Sequence, residues 1–261
     1  MVLIASVLYL LASALLVRNV TRDGSAPART WLLPAVAAAA CHLGAHMAAW
    51  RAQGGVDLHF FAALSLVGVG MAALTLLVAA RGRMAALGVV VLPIAAASAL
   101  GYGLYGRHVP DGLDWRLQLH AWCALLAYAT LAVAAVLAVM LALQERALRR
   151  RDFYGWLRAL PPLTELETLL FRTIAVGFVL LTTTLLTGVV FVSDFFSQQL
   201  MHKTVLSVLS WLIFGGLLFG RWRHGWRGTR AVGWTLAAMA LLVLAFFGSK
   251  FVLELVLGRA G

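Results

Sequence analysis

The sequence is poor in charged residues and in cysteine. Charged residues make up 12% of the 261 residues, whereas 62% are apolar; soluble domains have about a quarter charged residues and under half apolar ones. The two cysteines, Cys41 and Cys123, lie within apolar stretches and form no CxxC motif. These scarcities exclude a soluble enzyme, a disordered tail and a disulfide-stapled scaffold, and they indicate an integral membrane protein.

The usual motifs of nucleotide and metal enzymes are missing as well. The sequence contains no Walker loop, dinucleotide fingerprint, HExxH motif or internal repeat. The net charge is +11, but no polar stretch is long enough to form a separate nucleic-acid-binding domain. We therefore expect neither an enzyme nor a nucleic-acid partner, and interpret residues 1–261 as a single transmembrane helical domain in the lipid bilayer.

Eight apolar segments predict an all-α, polytopic membrane helix bundle. A helix that crosses the hydrocarbon layer takes about 20 residues, and several segments depart from that length by amounts that tilt can absorb. The segments are 2–17, 31–50, 60–80, 84–104, 117–143, 169–192, 204–220 and 231–257. The first charge, Arg18, follows the first apolar run, so this run is predicted to be a retained helix rather than a cleaved signal peptide.

The basic residues predict the orientation of the bundle. The segments after the first, third, fifth and seventh spans, together with Arg172, contain 15 of the 21 Lys and Arg residues. Cytoplasmic loops of membrane proteins are rich in Lys and Arg, so both termini are predicted to lie outside the cytoplasm. The residues on the inner side are Arg18, Arg22, Arg29, Arg81, Arg83, Arg146, Arg149, Arg150, Arg151, Arg158, Arg172, Arg221, Arg223, Arg227 and Arg230.

The histidines are distributed unequally over this topology. His42 and His46 project from one face of the second span, His120 opens the fifth span and His202 opens the seventh. An imidazole in or near hydrocarbon is costly, which makes each one a candidate functional residue. Six of the seven histidines lie on or near the outer side: His42, His46, His59, His108, His120 and His202. Of these, His59 and His108 fall in loops and are expected to be solvated.

Two kinds of ligand suit such a cluster. Haem iron takes axial nitrogens from opposite faces of the ring, so histidines of separate helices can hold it; His42 with His120 is the preferred pair. Alternatively, a transition-metal ion or a proton relay could use the same imidazoles, or each histidine could simply bond between helices. The alternate haem ligands and the cations expected at the haem propionates are His46, His202, Lys203, Arg107 and Arg116.

Helical spacing predicts further polar contacts. Lys250 and Glu254 are four residues apart near the outer end of the last span and can form an ion pair. Thr164 and Glu167 have the spacing of a capping box at the start of the sixth helix. The hydroxyl-bearing stretch 182–188 favours close approach of neighbouring helices.

Several stretches resemble a known family. The run from Leu117 to His120, entering an Ala- and Leu-rich helix with Tyr128, is similar to the first histidine helix of CcsA-type cytochrome c assembly proteins. Three later stretches resemble the YpjD/HemX-like branch of that family, and Ala40-Cys41-His42 matches a histidine of the same branch. The stretches are LPPLTELETLLFRTIAVGFVLLTTTLLTG (160–188), HKTVLSVLSWLIFGGLLFGRWRHGWRG (202–228) and FFGSKFVLELVL (246–257). The likeness covers nearly the whole chain and is strongest after residue 117.

The resemblance implies an eight-helix, multi-pass protein of the bacterial cytoplasmic (inner) membrane. The implied function is to hold or handle haem during cytochrome c biogenesis, with cytochrome c maturation proteins as partners and haem as cofactor. Two departures limit this: residues 198–211 replace the Trp-rich, Asp-containing external motif of haem-delivering members, and Gly248-Ser249-Lys250 replaces their late external histidine. Full haem export is therefore not implied. An accessory subunit of a membrane ion or metal transporter, with structural histidines, stays open as the alternative.

Overall fold

The computed structural model describes residues 1–22, 29–79, 85–106, 114–150, 161–191 and 198–256, and nearly all of these residues are helical. No β-strand occurs in these ranges. A 3₁₀ turn, Arg29–Trp31, precedes the second helix, and two π-helical turns, Leu244–Gly248 and Phe251–Val256, continue the last one. The α-helices are α1 (Val2–Arg22), α2 (Leu32–Gln53), α3 (Phe60–Ala79), α4 (Ala85–Tyr105), α5 (Trp115–Arg150), α6 (Leu163–Phe191), α7 (Gln198–His224) and α8 (Thr229–Val243).

Eight helical segments are long and apolar enough to span a membrane, which confirms the predicted all-α membrane bundle. Four helix ends depart from the predicted spans by five residues or more. Helices α1 and α5 continue past the predicted ends at 17 and 143, and α6 and α7 begin before the predicted starts at 169 and 204. Hydropathy marks only the part of a helix that lies in hydrocarbon, whereas backbone hydrogen bonds continue into the polar flanks.

The helices form two groups of four. In the first group α4 packs against α1 and α3, and α2 packs against α1; in the second, α5 packs against α6 and α8, and α7 packs against α8 and α6. Contacts between α3 and α5 join the groups. Many apolar side chains remain exposed, among them Leu33 at 81% and Val190 at 72%, which is the surface expected of a protein surrounded by lipid tails.

Two apolar cores hold the bundle together. The smaller core lies within the first group and includes Tyr9, Leu16 and Trp31. The larger core crosses from α3 and α4 into the second group, and α5 supplies much of it through residues such as Leu131 and Leu137. Close approach of α5 and α6 depends on Gly177, because a Cβ atom at that position would lie 2.5 Å from Leu131 Cδ2. Burial on this scale stabilises helix packing mainly through dispersion contacts, since lipid tails are as apolar as the core.

The predicted capping box at the start of α6 is wrong. Glu167 is buried, and its Oε1 accepts a hydrogen bond from the backbone N–H of Gly228 at 2.9 Å, while Oε2 lies 3.6 Å from Arg227 Nε. Gly228 is the residue directly before α8. The Glu167 carboxylate therefore serves the N-terminus of another helix, where a negative charge and an acceptor are both favourable.

Candidate functional site

A cleft lies among α5, α6, α7 and α8, near the end of the bundle at which α5 begins. Its empty volume, counting the part that is open to the outside, is about 830 Å³. The walls are mainly apolar, with polar groups at a few points. The polar residues that line the cleft are His120, Tyr128, Thr184, Lys203, Thr204 and Ser207, and the others are Ala124, Ala127, Leu181, Leu185, Gly188, Leu242, Ala245 and Phe246.

His120 is the imidazole of this cleft, and its hydrogen bond fixes the proton on the ring. His120 Nδ1 lies 3.1 Å from Thr187 Oγ1, and Thr187 Oγ1 lies 2.9 Å and 3.0 Å from the carbonyl oxygens of Thr183 and Thr184. Carbonyl oxygens only accept, so they take the single hydroxyl hydrogen of Thr187, and His120 Nδ1–H must donate to Thr187 Oγ1. The lone pair of the neutral ring is then on Nε2, the nitrogen that can coordinate a metal.

Lys203 is the cation of the same cleft. Its ammonium group interacts electrostatically with Lys250 and Glu254. The predicted ion pair between the latter two is confirmed, with Lys250 Nζ 2.8 Å from Glu254 Oε1. Lys250 Nζ also lies 5.5 Å from the ring centre of Phe246, which lines the cleft. Lys203 is therefore the charged group that lines the cleft, with the Lys250–Glu254 pair nearby, and its ammonium favours an anionic group on a ligand.

The wall formed by α8 is irregular where it meets the cleft. Ala245 and Phe246 belong to the first π-helical turn, and Tyr128 of α5 donates a hydrogen bond of 2.6 Å to the carbonyl oxygen of Leu242, just before that turn. π-Helical turns insert an extra residue into a helix and are frequent at functional sites. Within this turn Phe246 lines the cleft, while its neighbour Phe247 is buried.

His42 and His46 form a separate group in the other half of the molecule. The Nε2 atoms of His42 and His46 lie 2.7 Å and 2.9 Å from Ser65 Oγ of α3. The ring of Tyr9 from α1 meets His42 edge-on with centroids 5.8 Å apart, and Tyr102 from α4 stacks on His46 at 4.3 Å. We call these five residues the His42–His46 cluster.

The structure does not bring His42 and His120 together. The described contacts of His42 are with residues of α1, α2 and α3, whereas His120 bonds to α6 and lines the cleft. Of the alternate ligands, His46 joins His42, and His202 is exposed and does not line the cleft although it directly precedes Lys203. The expected axial pair is thus replaced by one histidine at the cleft and two in the His42–His46 cluster.

The remaining predicted residues lie outside both groups. Arg116 is exposed and stacks over Trp115, with 5.6 Å from Cζ to the ring centre, and Arg107 and His108 fall outside the described residues. His59 is not solvated as expected: its Nδ1 lies 2.7 Å from the carboxylate of Asp57, and the His59 side chain is only 11% exposed. The signal for this pair was the Asp-x-His spacing between two apolar spans, which an Asx-type turn can close.

Sequence reasoning missed several partners of the histidines. Ser65 and Tyr9 looked like ordinary small or aromatic members of apolar spans, and Thr187 looked like a helix-packing residue. Their roles depend on which helices are neighbours, which the sequence does not reveal. The stretch 182–188 does bring helices together, since Trp211 Nε1 of α7 donates to Thr182 Oγ1 at 2.8 Å, but Thr184 and Gly188 also line the cleft.

The fold and the cleft define a multi-pass, all-helical membrane protein with a ligand-sized opening that contains one histidine and one lysine. The profile of the family described as Cytochrome C assembly protein matches residues 30–257. The chain therefore belongs to the cytochrome c assembly protein family.

Individual relatives agree with this assignment. The chain is 32% identical to "Inner membrane protein YpjD" of Escherichia coli (strain K12) over 262 aligned positions, which cover 97% of this chain and 98% of the relative. It is 38% identical over 144 residues to "Uncharacterized 28.8 kDa protein in nifR3-like 5'region" of Azospirillum brasilense, covering 54% and 53% of the two chains. It is 32% identical over 89 residues to "Cytochrome c biogenesis protein CcsA" of Prochlorococcus marinus (strain MIT 9515), covering 33% and 28%. No solved structure matches.

These relationships confirm the predicted family and location. The Escherichia coli relative is named an inner membrane protein and aligns over nearly its whole length, and the present chain has eight membrane-length helices. The protein is a multi-pass protein of the bacterial cytoplasmic (inner) membrane, as the resemblance implied. The direction in which its termini face stays a prediction.

Proposed function

We propose that the protein binds haem in the cleft among α5–α8 and holds or passes it during cytochrome c assembly. One observation supports the proposal most directly. His120 lines the cleft, and its Nδ1–H donates a hydrogen bond to Thr187, so the lone pair of Nε2 is available to coordinate haem iron. Family membership supports the same chemistry, because the matching profile is that of a cytochrome c assembly protein. Neither observation requires the protein to be an enzyme.

The donor set of the cleft fits an iron porphyrin. A neutral imidazole nitrogen is a common axial ligand of haem iron, and such a ligand usually donates its other N–H to an acceptor, the role that Thr187 has here. Lys203 can pair with a propionate, and the apolar walls can cover the edges of the porphyrin. Haem bound in the cleft would be the iron porphyrin that c-type cytochromes contain. The residues of this chain would hold it in place and shield it.

We assign one iron ligand from the described residues of the cleft, in place of the pair of histidines expected from the sequence. His120 is the one histidine among the residues that line the cleft, and His42 bonds in the other helix group. The proposal therefore assigns His120 as ligand and Lys203 as propionate partner, and leaves His42, His46 and His202 out of the haem site.

The direct test is a haem titration of the detergent-purified protein. Haemin added to the apo-protein should give a Soret band that saturates at one haem per chain. His120→Ala should weaken binding at least tenfold. His202→Ala is the matched control, because this exposed histidine directly precedes the lining residue Lys203 but does not itself line the cleft. Equal haem binding by the His120→Ala and unchanged proteins would contradict the proposal.

A second measurement separates Lys203 from nonspecific binding of an apolar dye. Lys203→Met should weaken binding of haemin but leave binding of haemin dimethyl ester unchanged, because the ester has no carboxylate to pair with the ammonium group.

In cells, deletion of the gene should lower the amount of c-type cytochromes detected by haem staining. The unchanged gene should restore this amount better than the His120→Ala version. Normal cytochrome levels after deletion would contradict a role in assembly.

A further inference from the structure

The His42–His46 cluster contains two nitrogen atoms that converge on one point inside the membrane domain. His42 and His46 are four residues apart on α2, and their ring centroids lie 5.6 Å apart. Both Nε2 atoms are within hydrogen-bonding distance of Ser65 Oγ, at 2.7 Å and 2.9 Å. His42 is 0% exposed, whereas His46 is half-buried and gives access from one side. The cluster shares no residue with the cleft of His120.

Hydrogen bonding within the cluster leaves two buried atoms unsatisfied. Ser65 has one hydroxyl hydrogen, so it can donate to one imidazole and must accept from the other. With Nε2 used in this way, His42 Nδ1 has no hydrogen-bond partner in the described chain, and the same holds for the Tyr9 hydroxyl. Both residues are fully buried. A buried polar atom without a partner often marks a ligand or ordered water that completes the site.

We propose that His42 and His46 bind a monovalent copper ion, Cu⁺, through their Nε2 atoms. Metal–imidazole bonds are about 2 Å long, and two nitrogens that both contact one oxygen atom can approach an ion placed between them. Pairs of histidines at i and i+4 on a helix bind metals elsewhere because both rings project from one face. The ion would lie between the two Nε2 atoms, and both imidazoles would give up their hydrogen bonds to the Ser65 hydroxyl, which keeps its proton.

The donor set selects the charge and type of the ion. No group of three or more His, Cys, Asp and Glu side chains suited to a metal occurs in the part of the chain that the structure describes. Zinc in structural sites takes four ligands, often with thiolates. Imidazole also suits copper, and Cu⁺, a d¹⁰ ion of low charge, needs only two ligands. Two neutral imidazoles in apolar surroundings also favour the lower charge. The buried carboxylate of Asp57 interacts electrostatically with His46 and supplies a partial counter-charge.

Binding of the ion also gives a use to the two unsatisfied atoms. With Nε2 of the neutral His42 ring coordinated to the ion, the ring proton is on Nδ1, which is then a donor. The Tyr9 ring meets the His42 ring edge-on, and the Tyr9 hydroxyl is the other buried polar atom without a partner, so we assign it as the acceptor for Nδ1–H. Such an acceptor behind a ligating histidine is the usual second partner at metal sites. Stacking on Tyr102 fixes the plane of the second ring.

The test measures Cu⁺ affinity by competition with bicinchoninate under anaerobic conditions. A Cys41→Ser/Cys123→Ser background removes both thiols, which could take up Cu⁺ by themselves. In this background we expect one Cu⁺ per chain, with two nitrogen and no sulfur ligands by X-ray absorption. His42→Ala and His46→Ala should each lower the affinity at least tenfold, whereas His120→Ala should not. Zn²⁺ should not displace the ion at equal concentration.

The variant Ser65→Ala separates a metal site from a network of hydrogen bonds. It removes the hydroxyl but keeps both imidazoles, so a metal site retains Cu⁺ and a purely structural network gives no Cu⁺ binding in any variant. Thermal unfolding and gel filtration check that each variant is folded, and His42→Gln replaces His42→Ala if the latter fails this check. Cu⁺ binding that is absent, or that survives both histidine substitutions, would overturn the proposal.

Discussion

Glu167 of α6 accepts a hydrogen bond from the backbone N–H of Gly228, 61 residues later and directly before α8. This bond joins two helices at the end of the bundle that is predicted to face the cytoplasm. It also satisfies a backbone donor next to the start of α8, where no side chain of the Gly228 N-cap can do so. The α7–α8 turn is thus held in place by a carboxylate that is distant in sequence.

The first prediction concerns this bond. Glu167→Ala should lower the free energy of unfolding by about 1–3 kcal/mol, because it leaves the Gly228 N–H without its acceptor in a half-buried position. Glu167→Gln keeps an acceptor oxygen and should cost less. Thermal unfolding in detergent measures the difference. Arg227→Ala is the control, because Arg227 is 66% exposed and its ion pair with Glu167 contributes about 0–1 kcal/mol. Equal losses in the Glu167→Ala and Arg227→Ala variants would contradict this account.

The second prediction compares two glycines near the start of α8. Gly228 has φ +61°, and a Cβ atom there would lie 2.6 Å from Glu145 Oε1. Gly228→Ala should therefore destabilise the protein by about 1–3 kcal/mol through backbone strain alone, with crowding in addition. Gly233, inside α8, has nothing within 4 Å of its Cβ position. Gly233→Ala should instead stabilise the helix by about 0.5–1 kcal/mol. Unfolding temperatures that move in the same direction for both variants would refute the comparison.

The number and approximate limits of the helices could be predicted from the sequence because hydrocarbon imposes a strong rule. Every backbone polar group in the membrane must be bonded internally, so each long apolar run has to become a helix. The Lys250–Glu254 pair was predictable for a similar reason, since both residues belong to one helix turn. Glu167 was not, because its partner lies on another helix and helix neighbours are set by side-chain packing.

The candidate site could be predicted only in part. The sequence identified His120, Lys203, His42 and His46 as unusual polar residues in apolar spans, but it could not show which of them are neighbours. The assembled bundle places His120 with Lys203, and His42 with His46. Side-chain partners such as Thr187 and Ser65 are common residues in membrane helices, so their hydrogen bonds with histidines leave no sequence signal.

The third prediction concerns orientation in the membrane. Both termini should lie on the outer side of the membrane. The segments that follow the odd-numbered helices contain most of the arginines, and Arg-rich loops lie in the cytoplasm. Alkaline phosphatase fused to the C-terminus should be active, and green fluorescent protein fused there should stay dark. Fusions after residue 150, in the Arg-rich segment, should give the reverse pattern. A fluorescent C-terminal fusion would show that the C-terminus lies in the cytoplasm and would contradict the predicted topology.

The fourth prediction concerns the ion pair near the cleft. Glu254 bonds to Lys250 through Oε1 and accepts from the backbone N–H of Phe60 through Oε2 at 2.7 Å, which ties the π-helical end of the chain to the start of α3. Lys250→Met should destabilise the protein, because the carboxylate loses its counter-charge while only 13% exposed. Glu254→Gln keeps an acceptor for Phe60. The double variant should therefore be less destabilised than the sum of the two single changes.

A double-mutant cycle from thermal unfolding measures this coupling. We expect an interaction energy of about 0.5–3 kcal/mol, the range for residues in direct contact. Glu254→Ala should be worse than Glu254→Gln because it also removes the acceptor for Phe60. Strict additivity of the two single changes would show that the pair contributes nothing to stability.

The last prediction tests how Thr187 acts on His120. Thr187→Val removes the hydroxyl oxygen that accepts from His120 Nδ1–H, so the ring keeps only its interaction with the backbone of Thr184 and is held less firmly. If His120 ligates haem iron, the substitution should weaken haem binding about 10–100-fold, the usual effect of losing such a partner. Thr187→Ser should restore binding, because it returns the hydroxyl without the methyl group.

Thr183→Val is the matched control for this experiment. Thr183 is exposed one turn earlier on α6, and its hydroxyl bonds only to the backbone carbonyl of Val179 in the described structure. The Thr183→Val substitution also removes a hydroxyl from α6, but at a residue with no described contact to His120. Haem titrations of the three variants should therefore rank Thr183→Val and Thr187→Ser near the unchanged protein and Thr187→Val well below them. If Thr183→Val and Thr187→Val weaken binding equally, the effect comes from the helix and not from the bond to His120.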